Sequence, residues 1–192
     1  MTGSPPPRPD LAQSYSRVAA EYARRIFHEL KDKPFDRQLL DRFAGLVQPL
    51  GRACDLGCGP GEVARYLKDA GRLDVLGLDL APGMVEEASR LNPDLEFRVG
   101  DMLALPLPDA SLGGIAAFYS LIHIPQDLHP RAMAEFRRVL VPGGWLLLAF
   151  HVGQETRHID EWWGQPVNLD FIFFQPESIT RQLASAGFLK IE

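Results

Sequence analysis

From Leu11, apolar side chains recur at Leu11, Tyr15, Val18, Tyr22, Ile26 and Leu30, the spacing of one helix face. The pattern predicts an amphipathic helix over 11–30, and a second helix from Pro34 through Phe35, Leu39, Leu40, Phe43 and Val47, stopped by Pro49 and Gly51. After Arg52 the texture changes. Short, nearly continuous apolar runs at 53–56, 75–80, 95–99, 115–121 and 145–150 read as strands covered on both faces. Helical segments at 62–70, 82–91, 130–140 and 176–186 separate or follow them. Strands alternating with helices predict βαβ crossovers, so the fold class is α/β, a doubly wound and mainly parallel sheet with helices before it. The long stretch 151–175 has neither period and is expected to be an irregular loop, functional or mobile.

Composition narrows the class. The chain has 192 residues, enough for one domain: a disordered tail over 1–10, a helical cover over 11–50 and an α/β core over 51–192. Lysine and arginine number 20 against 25 acids, a net charge of -5, so no basic field exists to hold nucleic acid. The longest apolar run, 114–124, is shorter than the ~18 residues of a membrane span, and no secretory core opens the chain. A cytoplasmic monomer or weak homodimer acting on a small molecule is the expectation. Cys54 and Cys58 lack partners for a disulfide framework or a zinc site, and no His pair has metal-ligand spacing. Both cysteines are expected to be buried fillers.

The sharpest motif is Asp55-Leu56-Gly57-Cys58-Gly59-Pro60-Gly61, which leaves the first strand and enters a helix at Glu62. Such a turn lets a ligand approach bare backbone and aims helix N–H groups at it. Asp79 closes the next strand, where a carboxylate can hold both hydroxyls of a ribose, and Gly100-Asp101-Met102 follows the third. Three carboxylates ring one crevice at the carboxyl ends of the strands.

On these motifs the chain resembles the class I S-adenosylmethionine-dependent methyltransferases from Leu11 to Phe188, with Gly77 to Met84, Leu105 to Ser111, Phe118 to Ile124 and Leu140 to Phe150 matching further segments. The resemblance implies a Rossmann-like methyltransferase fold with S-adenosylmethionine as cofactor and S-adenosylhomocysteine as product. It implies that Gly57 and Gly59 pack against the methionine part, Asp79 binds the ribose, Met84 covers the adenine, Asp101 meets its amino group, and Phe118 and Tyr119 lie near the methionine chain. Asp55, Cys58, Gly61, Leu80 and Met102 complete the implied cofactor set. Three alternatives stay open: a nicotinamide-binding domain, disfavoured because the glycines stand at 57, 59 and 61; an aminopropyl transferase; and a domain that binds the cofactor without chemistry. The chain departs from the family pattern at Gly113 and Gly114, where members carry an acid before the fourth strand, which puts the rigidity of that entry in doubt. It also ends at Lys190-Ile191-Glu192, so a seventh strand is missing and truncation is the expectation.

Methyl transfer from a sulfonium is an in-line displacement that needs positioning and dryness, and a base only when the acceptor is a hydroxyl. His123 and His151, after the fourth and fifth strands, are the candidate bases, with His151 preferred. His28, His129 and His158 are expected to be solvated. The resemblance implies substrate contacts from the N-terminal helices and from segments after late strands, here Tyr15, Tyr22, Trp162 and Trp163, and adjacent tryptophans in a polar stretch are hard to bury together.

Overall fold

The computed structural model describes residues 9–191, so most of the expected tail, residues 1–8, lies outside it. The first helix, α1 (Pro9–Ile26), already includes Pro9 and Asp10, and Asp10 in its first turn complements the helix dipole. It stops four residues earlier than the periodicity predicts. A 3-10 turn, Glu29–Asp32, carries Leu30 into the core instead, because Pro34 opens α2 (Pro34–Val47) and keeps Lys33 out of the helical region.

Five strands form the main sheet: β1 (Ala53–Leu56), β2 (Val75–Asp79), β3 (Glu96–Val99), β4 (Leu112–Phe118) and β5 (Leu140–Ala149). Their order is 3-2-1-4-5 and every pairing is parallel. The crossovers are α3 (Glu62–Asp69), α4 (Pro82–Leu91) and α5 (His129–Val139). Strand residues alternate between two cores. Cys54, Ile115 and Ala117 face Met133 and Phe136 of α5, whereas Ala53 and Ala116 face Leu40 and Val47 of α2 and Leu67 of α3. Burial on both faces explains the continuous apolar runs of the sequence.

Gly113 and Gly114 do not loosen the entry to β4. A Cβ on Gly114 would stand 2.4 Å from Val47 Cγ2 and 2.7 Å from Phe43 Cζ, so the glycine lets α2 lie directly on the strand. The long stretch after β5 is also not irregular: β6 (Thr156–Trp162) and β7 (Gln165–Ile172) pair antiparallel as a separate hairpin. Their outward faces are polar, which hid the alternation. The hairpin docks on α1 through Val167 and Leu169, which join Val18, Ala19 and Met84 in a third apolar cluster. At roughly 1.5–3 kcal/mol per fully buried large apolar side chain, this cluster holds α1 and the hairpin as a roof over the carboxyl ends of β1, β2 and β4.

The last helix, α6 (Pro176–Ser185), ends in a Schellman motif: Gly187 N–H donates to Ala184 O and Phe188 N–H to Leu183 O, with Gly187 at φ +87°. Residues 188–191 form no strand, so among the described residues the main sheet ends at β5.

Candidate active site

A cavity of about 940 Å³, counting its open mouth, lies between the roof and the strand ends. Its floor is the glycine turn. Gly57 and Cys58 N–H both donate to Leu78 O of β2, and Gly59 N–H donates to Asp79 Oδ2 at 2.9 Å. Asp79 Oδ1 accepts from Ala81 N–H at 2.8 Å, so one carboxylate ties the turn to the start of α4. Each oxygen keeps a lone pair for a ligand. Burial lifts the Asp79 carboxyl to about 6 against the backbone bonds that lower it.

The glycines serve different ends. A Cβ on Gly57 would fall 2.2 Å from Ser120 Cβ, so its bareness admits the turn after β4, and Gly57 also lines the cavity. Gly59, at φ +50°, faces the cavity with only Tyr22 Cε1 near, at 3.8 Å. Gly61 caps α3 at φ +87° and lines no part of the cavity. Asp55 is 1% exposed, and its Oδ2 accepts from Ala64 N–H at 2.9 Å inside the first turn of α3. It braces the turn from beneath, and burial with the nearby Asp79 charge raises it to about 7. Cys58 is buried with its sulfur toward Gly59 O.

Leu80, Met84, Met102, Phe118 and Tyr119 all line the cavity. Tyr119 sits at φ +50°, a strained backbone held by its N–H bond to Ala149 O. Asp101 is not in the wall: its Oδ1 accepts from Leu103 N–H, while Gly100 and Met102 on either side face the space.

Tyr15, Tyr22 and His123 line the roof. Trp162 and Trp163 stand behind them: Trp162 packs edge-on against Tyr22 at 5.6 Å and Tyr15 at 6.0 Å, and stacks on Trp163 at 4.7 Å. Trp163 is covered by the Arg25 guanidinium. The tryptophans therefore back the tyrosines rather than the cavity. His151 also lies outside the wall, stacked on Phe173 at 5.0 Å, with burial pushing its pKa down. His129 is not solvated; it is fully buried, with Nε2 3.0 Å from Ile124 O and Nδ1 2.8 Å from Gln182 Oε1. His28 and His158 are exposed.

Three acids that the motifs did not flag join Asp79 in the wall: Glu29, Asp36 and Glu62. Glu62 Oε2 is buried without a hydrogen-bond partner, and burial drives its carboxyl well above the ordinary range. Only its place directly after Gly61 could have marked it. Among the described residues no lysine or arginine lines the space. Glu29 is ion-paired with Lys33 at 2.9 Å and burial favours the neutral form of Glu62, so Asp36 and Asp79 carry the wall's remaining negative charge, which disfavours a pyrophosphate and suits a cationic nucleoside.

A doubly wound domain that offers acids rather than phosphate-binding backbone to a nucleoside is laid out as a class I methyltransferase domain. The comparisons with known proteins agree. Residues 53–144 match the profile of a family described as methyltransferase domain. Demethylmenaquinone methyltransferase of Renibacterium salmoninarum is 32% identical over 74% of this chain and 59% of its own length. Malonyl-[acyl-carrier protein] O-methyltransferase of Serratia marcescens is 31% identical over 81% and 58%. The solved complex of DhpI with S-adenosylhomocysteine has the same fold, with a TM-score of 0.75 and 24% identity over 94% of this chain and 89% of that one. The chain belongs to the class I S-adenosylmethionine-dependent methyltransferase family. It spans under two thirds of the length of these curated relatives.

Proposed function

We propose that the chain binds S-adenosylmethionine in this cavity and transfers its methyl group to a small-molecule acceptor. The observation that carries the proposal is the carboxylate-lined cavity above the glycine turn. The buried, unpartnered Glu62 Oε2 and the ligand-facing Asp79 suit a molecule bearing an ammonium, a sulfonium and ribose hydroxyls. Asp79 would hold the ribose, Gly59 would lie against the methionine chain, Met84 and Met102 would flank the adenine, and Tyr119 would border the methyl group. The bound cofactor supplies an already activated methyl electrophile. What remains for the protein is to orient the acceptor and exclude water, and the aromatic roof of Tyr15 and Tyr22 suits both tasks.

The names of relatives such as demethylmenaquinone methyltransferase support a small-molecule acceptor. Two free, buried cysteines suit a reducing compartment, and a cytoplasmic location belongs to the same proposal. Among the described residues no helix is long and apolar enough to cross a membrane.

The test uses cofactor labelled in its methyl group with a fractionated extract of small molecules. Label appearing in a low-mass product supports the proposal. Cofactor binding without any label transfer would favour a sensor, and absence of cofactor binding would remove the proposal altogether.

A further inference from the structure

Tyr15 and His123 are 108 positions apart, yet Tyr15 Oη lies 2.7 Å from His123 Nε2 at the cavity roof. The other ring nitrogen, Nδ1, is 2.8 Å from the main-chain carbonyl oxygen of Asp170 on β7. A carbonyl oxygen can only accept, so the proton sits on Nδ1. In the neutral ring Nε2 is then an acceptor, and the Tyr15 hydroxyl at 2.7 Å donates its hydrogen to it. Burial, with the Asp79 charge adding to it, holds the Tyr15 phenol far above its ordinary pKa, so Tyr15 stays protonated. With its hydrogen committed to His123, the phenol oxygen presents only lone pairs to the cavity.

We infer that Tyr15 and His123 form a proton relay for an acceptor bearing a phenol-type or enol-type hydroxyl. The inference rests on the methyltransferase function proposed above and goes beyond it by naming the acceptor class. The Asp79 and Asp36 carboxylates in the wall disfavour an acceptor that arrives as an anion, so the hydroxyl must enter neutral and lose its proton in place. A neutral amine keeps its proton through methylation and needs no such relay. An aliphatic alcohol is too weak an acid for an imidazole partner, whereas a phenol or enol lies within reach.

In the step, the acceptor oxygen forms a bond to the methyl carbon as the carbon–sulfur bond breaks and its electron pair stays on sulfur. The acceptor proton passes to Tyr15 Oη while the Tyr15 proton passes to Nε2. The products are a methyl ether, a neutral thioether and an imidazolium, so the single positive charge of the sulfonium ends on His123. Asp170 O stabilises that cation through Nδ1–H. Phe171, 5.0 Å away, packs edge-on against the ring. The Asp170 carboxylate is engaged by His158 at 2.8 Å.

The test measures methyl transfer by the full chain to simple phenols, 1,3-diketone enols, aliphatic alcohols, carboxylic acids and primary amines, beside calorimetric titration with S-adenosylhomocysteine. Phenol or enol methylation is expected, falling at least tenfold in Tyr15→Phe beyond any change in S-adenosylhomocysteine affinity. The rate should fall likewise in His123→Asn. Nitrogen-15 spectra of the histidine ring should show the Nδ1–H tautomer and a shift of the Nε2 resonance in Tyr15→Phe. Transfer confined to amines or carboxylates, a protein that binds S-adenosylhomocysteine but methylates no phenol or enol, an Nε2–H tautomer, or phenol rates unchanged in both variants would each overturn the relay. These outcomes are distinct from failure to bind S-adenosylhomocysteine at all, which would remove the methyltransferase proposal itself.

Discussion

At the scale of single residues, Asp79 carries the greatest load. It binds two backbone N–H groups of its own chain and is the proposed partner of the ribose hydroxyls. Charge-assisted hydrogen bonds are worth roughly 1.5–3 kcal/mol each, so Asp79→Ala is expected to weaken S-adenosylhomocysteine binding at least about tenfold, as calorimetry would read. Unchanged affinity in a folded variant would remove the ribose assignment. Acidity supplies a second prediction. Burial raises Asp55 to about 7 and Asp79 to about 6, above an ordinary value of 3.8, so the folded chain keeps protons that the unfolded chain releases. Stability is thus lost as pH rises from about 4 through 7. A melting series should show a shallower decline in Asp55→Asn than in the parent, and equal slopes would contradict it. Asp79 was legible in the sequence because a carboxylate closing a strand has a fixed meaning in a parallel sheet. The Tyr15–His123 contact was not, since nothing local records a pairing across 108 positions. The burial of His129 was hidden in the same way: its partner Gln182 lies on another helix.

At the scale of elements, the parallel core was legible because burial on both faces writes continuous apolar runs, and β1, β2 and α4 begin where the pattern begins. The hairpin of β6 and β7 was not, because one face is solvated and Pro166 and Gly164 interrupt the alternation. That hairpin and α1 hold each other. Ser14 Oγ accepts from Asn168 N–H, Arg17 donates to Pro166 O, and Ser16 Oγ accepts from Gly83 N–H of α4. The roof is therefore an add-on to the strands rather than part of their packing. A chain beginning at Pro34 is expected to melt cooperatively yet bind S-adenosylhomocysteine at least tenfold more weakly. Outright unfolding would make α1 core, and unimpaired binding would make it irrelevant to the site.

At the scale of the whole molecule, β5 is, among the described residues, a sheet edge whose residues from Trp145 to Ala149 are half-buried. Unpaired backbone beside apolar side chains favours edge pairing, so sedimentation should show self-association that grows with concentration and persists in salt. A monomer at every concentration would contradict this. The central claim concerns the cavity, and the most direct measurement is calorimetric titration of the full chain with S-adenosylhomocysteine and, separately, with NAD, repeated in Gly59→Val. The account predicts one saturable site for S-adenosylhomocysteine, no heat from NAD, and loss of the site when a branched side chain fills the space above Gly59. Saturable binding of NAD, or full S-adenosylhomocysteine binding in Gly59→Val, would contradict it.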